Sequence, residues 1–270
     1  ECGDAGIAVI GRGIDIKNNK IYDCAQVADW YGGILVNNPR NADYLVTTSD
    51  IHINDNTIYY TSEPPEDAFG IVISGENRAD TYVANVVITG NTLVGCGADT
   101  TTLNGIYLHY RIAPSELRNI YNIVITNNMI QDFNKGIVSM AYDEVIANNK
   151  IHGVVYGVWL IGHLCYEHEV TGNFVEGEAA DEGVGITISS AAYANVVGNY
   201  IKTFNVGIDE TAPAHINSNY NFIHGNYVSN CTTPVNIVGV NTIVKNNLGF
   251  VTENSGSATI LDTNTSVVVA

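Results

Sequence analysis

The stretch Asn122-Ile-Val-Ile-Thr-Asn-Asn-Met-Ile130, followed six residues later by Gly136-Ile-Val138, decides how this chain folds. Its skeleton is an apolar residue, a spacer, an apolar residue, two spacers, Asn, a spacer and an apolar residue, then a variable stretch closed by Gly-Ile-x-Ile. Aligned on the inner Asn, the skeleton recurs about nine times, placing Asn19, Asn56, Asn91, Asn128, Asn149, Asn173, Asn199, Asn226 and Asn246 in one column at spacings of 37, 35, 37, 21, 24, 26, 27 and 20 residues. A unit of roughly 20 to 40 residues that cannot bury its own apolar side is the mark of a solenoid. Within the units apolar and polar residues alternate, as in Ile14-Asp-Ile16, Ile51-His-Ile53 and Ile186-Thr-Ile188, which is the period of a strand and not of a helix. Short strands and one Asn-marked corner per turn predict an all-β, right-handed, single-stranded parallel β-helix. Its Asn column should form a ladder, each amide bonding the next coil and the corner backbone, because Asn tolerates left-handed corners.

This skeleton resembles the pectin-lyase-like superfamily of right-handed β-helices, including the NosD-like repeat proteins, over roughly residues 1 to 250. The resemblance implies a fold; it does not select an activity, since that superfamily includes polysaccharide lyases, glycoside hydrolases, epimerases, phage tailspikes and non-catalytic surface proteins. The chain has no Asn-Thr-Asp with Asp-Asp and Gly-His-Gly as in polygalacturonases, no Asp-Pro-His as in mannuronan epimerases, and no glycine-rich calcium nonapeptides.

A solenoid of nine coils stacked at about 4.8 Å is one elongated domain, a rod of roughly 40 Å. The β-helix is expected over residues 1–249. Residues 250–270, with strand-like Val251 to Ile260 and Ser266 to Val269, are expected to cover the last coil or to begin a following domain. Residue 1 falls in mid-coil without its ladder Asn, so the natural chain is expected to continue upstream. With a formal charge of −17 and only 11 Lys and Arg, the chain is a poor ligand for nucleic acid or anionic membranes, whose binding rests on cations. No run of 18 apolar residues exists to span a bilayer. Cys24, Cys96 and Cys231 each lie five residues after a ladder Asn, in a column otherwise filled by Phe133, Val154 and Phe204, and so are expected to be buried thiols. Cys2 would fill the same column one coil earlier, where stacking on Cys24 allows one disulfide. Cys165 is off register.

The first three coils carry excursions on both sides of the strands Gly33 to Val36, Gly70 to Ile73 and Gly105 to Leu108. Solenoid insertions of this kind build binding surfaces, here a groove. Four of the five arginines, Arg40, Arg78, Arg111 and Arg118, fall in the loops after these strands. A row of Arg at coil spacing suits the carboxylates of an acidic polysaccharide, although Asp43, Asp80 and Glu116 are close enough in sequence to pair with Arg40, Arg78 and Arg118 locally. The outward positions of the Gly strands are Leu35, Val72, Tyr107, Val138, Trp159, Thr187 and Asp209. Tyr107, Trp30 and Trp159 supply stacking surface for sugars. His109 and Tyr110 are candidate bases, with Arg111 holding the substrate carboxylate for a lyase; Glu66 and Asp67 are the candidate pair for a hydrolase, and Asp209 and Glu210 continue the strand row. No cofactor is expected, although the loop of Glu176, Glu178, Asp181 and Glu182 could take calcium through oxygen ligands. Glu144 and His168 share a column and are expected to form a structural ion pair at a corner. Two functions follow. The first is an extracellular or virion-type β-helix, secreted or at the cell surface, that binds a polysaccharide or cell-surface glycan or plays an adhesive role, an oligomer being compatible with either. The alternative is a polysaccharide lyase or glycoside hydrolase acting on an acidic glycan.

Overall fold

The computed structural model describes residues 5–24, 31–37, 47–64, 67–76, 82–97, 103–111, 120–211, 220–239 and 241–249. Every strand in them pairs in parallel with the equivalent strand of the neighbouring coil, and no helix is present among the described residues. One nine-stranded sheet runs Arg12–Lys17, Thr48–Asn54, Val83–Thr89, Ile120–Thr126, Tyr142–Ala147, His168–Thr171, Asn195–Val197, Phe222–His224 and Ile243–Lys245. The strands that follow each ladder Asn and the Gly strands lie in a second sheet, joined through the long bent strand Tyr200–Thr211. The parallel β-helix predicted from the repeat is therefore the architecture observed.

The ladder holds the coils in register. From Asn19 to Asn226, each inner Asn donates both its backbone N–H and its Nδ2 to the Oδ1 of the next, as in Asn91 to Asn128 and Asn128 to Asn149, all at 3.0 Å. The second Nδ2 proton goes to a strand carbonyl of the preceding coil; Asn128 reaches Ile88 O at 2.9 Å. The ladder amides are thus satisfied although Asn56, Asn91, Asn128, Asn149, Asn173 and Asn199 are each only 1% exposed. The residue before the inner Asn turns the corner with φ near 55° in Asp55, Asn127 and Asn148, a conformation that Asn, Asp and Gly accept readily. This corrects the last rung. Asn226 N donates to Asn247 Oδ1 at 2.8 Å, whereas Asn246 is the left-handed corner residue (φ 53°) with its amide 3.0 Å from His224 Nε2. An Asn-Asn pair offers both residues to the column, and the corner always takes the first.

Inside, like residues stack on like. Ile34, Ile71, Ile106, Ile137, Val158, Ile186 and Ile208 follow one another in register, all fully buried. Phe133, Val154 and Phe204 fill the predicted inward column with Cys24, which is buried; Cys96 and Cys231 are free thiols and half-buried. Burial raises the proton affinity of the latter two thiols. Cys2 lies outside the described residues, as do residues 250–270. A glycine column opens each Gly strand, because at Gly136 a Cβ would come within 2.6 Å of both Gly157 O and Ile151 Cγ2. The sharp approach leaves no room for a side chain and fixes which later residues face out.

Replacing Asn128 with Ala strips partners from Asn91 N and from the buried amides on either side. We expect a loss of about 1–3 kcal/mol in chemical denaturation; wild-type stability would show that the ladder is not what holds the coils.

Candidate functional site

The strands that begin at the glycine column project two outward rows before they end. The first is Gly32, Phe69, Asn104, Lys135, Tyr156, Val184 and Val206; the second is Leu35, Val72, Tyr107, Val138, Trp159, Thr187 and Asp209. The second row is the one expected from the repeat, in the same order. Although they face away from the core, Phe69, Val72 and Val138 are 1–2% exposed and belong to no part of the internal apolar cluster. They form an apolar layer on the outer side of the Gly strands, separate from the internal core.

Two aromatic pairs stand on that layer. Phe69 and Tyr107 have ring centroids 4.9 Å apart, with His109 5.6 Å beyond Tyr107. Tyr156 and Trp159 stack at 5.2 Å. Tyr107 and Trp159 flank the small Val138, one coil on each side. Lys135 lies in the coil between the two pairs, next to Asn104 and Tyr156 in its row. Its Nζ is 6.0 Å from the centroid of the Trp159 ring, a cation–π contact, and among the described residues it makes no ion pair or hydrogen bond. Burial lowers the proton affinity of Lys135, and the Asp67 carboxylate partly offsets this; burial and the same carboxylate raise that of the Tyr107 hydroxyl. An exposed acid thus faces a half-buried amine and a half-buried phenol. The amine is ready to meet an anion, and rings stand on both sides of it.

Of the residues singled out in the sequence, the structure brings together Tyr107, His109, Trp159 and Asp67. The backbone of Tyr110 and Arg111 continues the strand Leu103–Arg111, Arg111 pairing with Glu76, so these residues are strand and not loop as expected; their side chains lie outside the described residues. So do Glu66, Trp30, Arg40, Arg78 and Arg118. Glu210 is a correction: it sits in the inward column after Ile188 and is fully buried, accepting hydrogen bonds from Asn221 Nδ2, Gly239 N and Thr242 Oγ1 at 2.6, 2.9 and 2.7 Å. It ties down the last coil and is no partner for Asp209. Glu176 pairs with Lys202 at 2.8 Å, and among the described residues no group of three or more His, Cys, Asp or Glu is arranged to hold a metal ion. Glu144 and His168 form the expected buried pair at 3.2 Å, with Ser139 Oγ donating to the same carboxylate oxygen. Lys135 and Asn104 were not singled out, yet the signal was present: each immediately precedes a column glycine.

No protein-family model matches the chain, and no curated protein sequence matches it. Among solved structures it is similar to DFA-IIIase from Arthrobacter chlorophenolicus A6, in complex with GF2, at 15% identity over 73% of this chain and 43% of that one, with a TM-score of 0.47. It is also similar to the A-module of the Azotobacter vinelandii mannuronan C-5 epimerase AlgE6, at 15% identity over 90% and 76% of the two chains (TM-score 0.44), and to the Dettilon tailspike protein at 12% identity over 81% and 55% (TM-score 0.40). The chain spans less than half the length of DFA-IIIase. With the parallel register and the ladder already described, the fold is settled. It is a parallel β-helix. No helix of this β-helix, among the described residues, is long and apolar enough to cross a membrane.

Two stability measurements separate the candidate site from the scaffold of this β-helix. Below its folded-state titration point, Lys135 is charged in both the folded and unfolded chains, so the full cost of half-burying the charge is present. That cost disappears as pH rises towards the ordinary lysine value of about 10.5. Lys135→Met should therefore raise stability at neutral pH, with the gain shrinking at alkaline pH; a destabilised variant would show that the amine is structural. His168→Leu, by contrast, leaves Glu144 buried without its partner and should cost about 3–5 kcal/mol in denaturant unfolding. Much of that should return in the Glu144→Leu/His168→Leu double variant; no recovery would mean that the pair is not the source of the loss.

Proposed function

We propose that this protein is a carbohydrate-binding β-helix whose Gly-strand face receives an acidic glycan, in an extracellular or surface setting where such polymers occur. The observation that carries this is Lys135, a half-buried amine without an ion-pair partner among the described residues, set between the Phe69–Tyr107 and Tyr156–Trp159 pairs. Pyranose rings present apolar C–H faces to aromatic rings and polar edges to donors, and an apolar floor with a few polar groups is the usual make-up of a ligand site. A carboxylate reaching Lys135 would satisfy a charge that the fold leaves uncompensated at contact distance. The Arg row around the same groove, outside the described residues, would extend the anion-binding surface.

A catalytic reading has one specific observation in its favour. The amine of Lys135 and the phenol of Tyr107 are both biased by burial towards their uncharged forms. That bias suits a base that removes the proton next to a uronate carboxylate and an acid that protonates the departing oxygen. Elimination would appear as an unsaturated uronide absorbing in the ultraviolet, whereas hydrolysis would release only reducing ends.

Calorimetric titration with acidic and neutral oligosaccharides tests the binding claim. The wild-type protein should prefer the acidic ones. Lys135→Gln should weaken their binding by roughly tenfold or more, the equivalent of a charge-assisted hydrogen bond of about 1.5–3 kcal/mol. Binding indifferent to Lys135→Gln and to Trp159→Ala would remove the site.

A further inference from the structure

The second outward row carries more chemical information than the presence of a glycan. Beyond Val138 it reads Trp159, Thr187 and Asp209, one residue per coil. Trp159 Nε1 and Thr187 Oγ1 are buried and have no hydrogen-bond partner, and Thr187 as a whole is 6% exposed. A buried donor left without a partner is costly to the fold, and both groups face the side of the sheet that carries Lys135. Nε1 can only donate, and the hydroxyl can donate as well. One coil farther on, Asp209 is half-buried, with Oδ1 accepting from Asn236 Nδ2 at 2.7 Å. Counted along the axis in steps of about 4.8 Å, the face offers a cation at Lys135, an aromatic plane at Trp159, two donors at Thr187 and Trp159, and a carboxylate at Asp209.

An extended pyranose chain advances by a distance close to one coil per sugar residue. A chain lying along the axis with a uronate at Lys135 therefore places its next residue against the Trp159 ring. The third residue meets the two donors, and the fourth meets Asp209. The donors suit a second carboxylate. The Trp159 plane suits an uncharged sugar face, and the Asp209 carboxylate accepts hydroxyl protons but repels an anion. We propose that the ligand is a glycan alternating acidic and neutral residues, and that Asp209 rejects polymers carrying a carboxylate on every residue. This inference rests on the glycan reading of the same face and adds a charge period to it.

The test uses two probes of equal length on the full chain: a hexasaccharide of alternating glucuronate and N-acetylglucosamine, and a galacturonate hexamer. The wild-type protein should bind the alternating probe more tightly. Asp209→Asn keeps the side-chain shape and an oxygen to accept from Asn236 while removing the charge. It should raise galacturonate-hexamer affinity by roughly tenfold and, by removing a charged acceptor for hydroxyl protons, weaken the alternating probe modestly. Thr187→Val should weaken the alternating probe in particular. Equal gains for both probes in Asp209→Asn, or a wild-type protein that binds the galacturonate hexamer equally well or better, would overturn the alternation while leaving the glycan site standing. Binding of neither probe would overturn both.

Discussion

The buried ladder asparagine, whose backbone N–H and side-chain amide both donate to the next coil while the amide's second proton goes to the strand of the coil before, is the contact on which the rest of this molecule depends. A carboxamide has an oxygen that accepts two protons and a nitrogen that gives two. In the ladder all four capacities are used at distances of 2.9 to 3.0 Å around Asn128. No other side chain of that size does this without carrying charge, which would be expensive at 1% exposure. Once the ladder sets one coil over the next, the Ile column, the glycine column and both outward rows inherit its register. A change in loop length, such as the spacing of 37 residues between Asn91 and Asn128 against 21 between Asn128 and Asn149, leaves that register untouched.

The same scaffold makes two kinds of aromatic surface. On the sheet that follows the ladder, Phe174 and Tyr200 stack at 5.3 Å and Tyr200 meets Tyr227 at 4.9 Å. These rings sit one coil apart and cover each other's faces, so their exposed edges stabilise the stack and offer little to a sugar. On the Gly-strand face, Tyr107 and Trp159 are two coils apart with Val138 between them. The small residue keeps the rings from closing on each other, and Lys135 lies in the coil they bracket. Placement of one valine and one lysine thus separates this face from a continuous structural aromatic stack.

The fold was legible because a solenoid writes its register into every turn. Ile34 and Ile208, distant in sequence, answer to the same steric demand and so to the same pattern. The ladder end was not legible at Asn246-Asn247, since the pair differs only in backbone conformation, and φ is not visible in a side-chain alphabet. Adjacent in sequence, Asp209 and Glu210 both read as continuing the outward strand row, but strand alternation turns Glu210 inward, and burial in the core separates the two. Tyr107, His109, Trp159 and Asp67 could be found because aromatics and titratable groups on an outward row are conspicuous. Lys135 escaped because it stands before its column glycine, in the part of the repeat that varies, where its relation to Asn104 and Tyr156 becomes visible only once the glycines are aligned. Its importance comes from half-burial, which depends on the rings of neighbouring coils and on no local pattern.

Hydroxyl-radical footprinting of the protein with and without an acidic oligosaccharide reads the central claim most directly, because it reports side-chain access ring by ring. The account predicts that ligand lowers oxidation of Tyr107 and Trp159 while Tyr22, Tyr59, Tyr200 and Tyr227, exposed on the strands that follow the ladder Asn, react as before. Protection of Tyr200 and Tyr227 with Tyr107 and Trp159 unchanged would place the binding face elsewhere and contradict it.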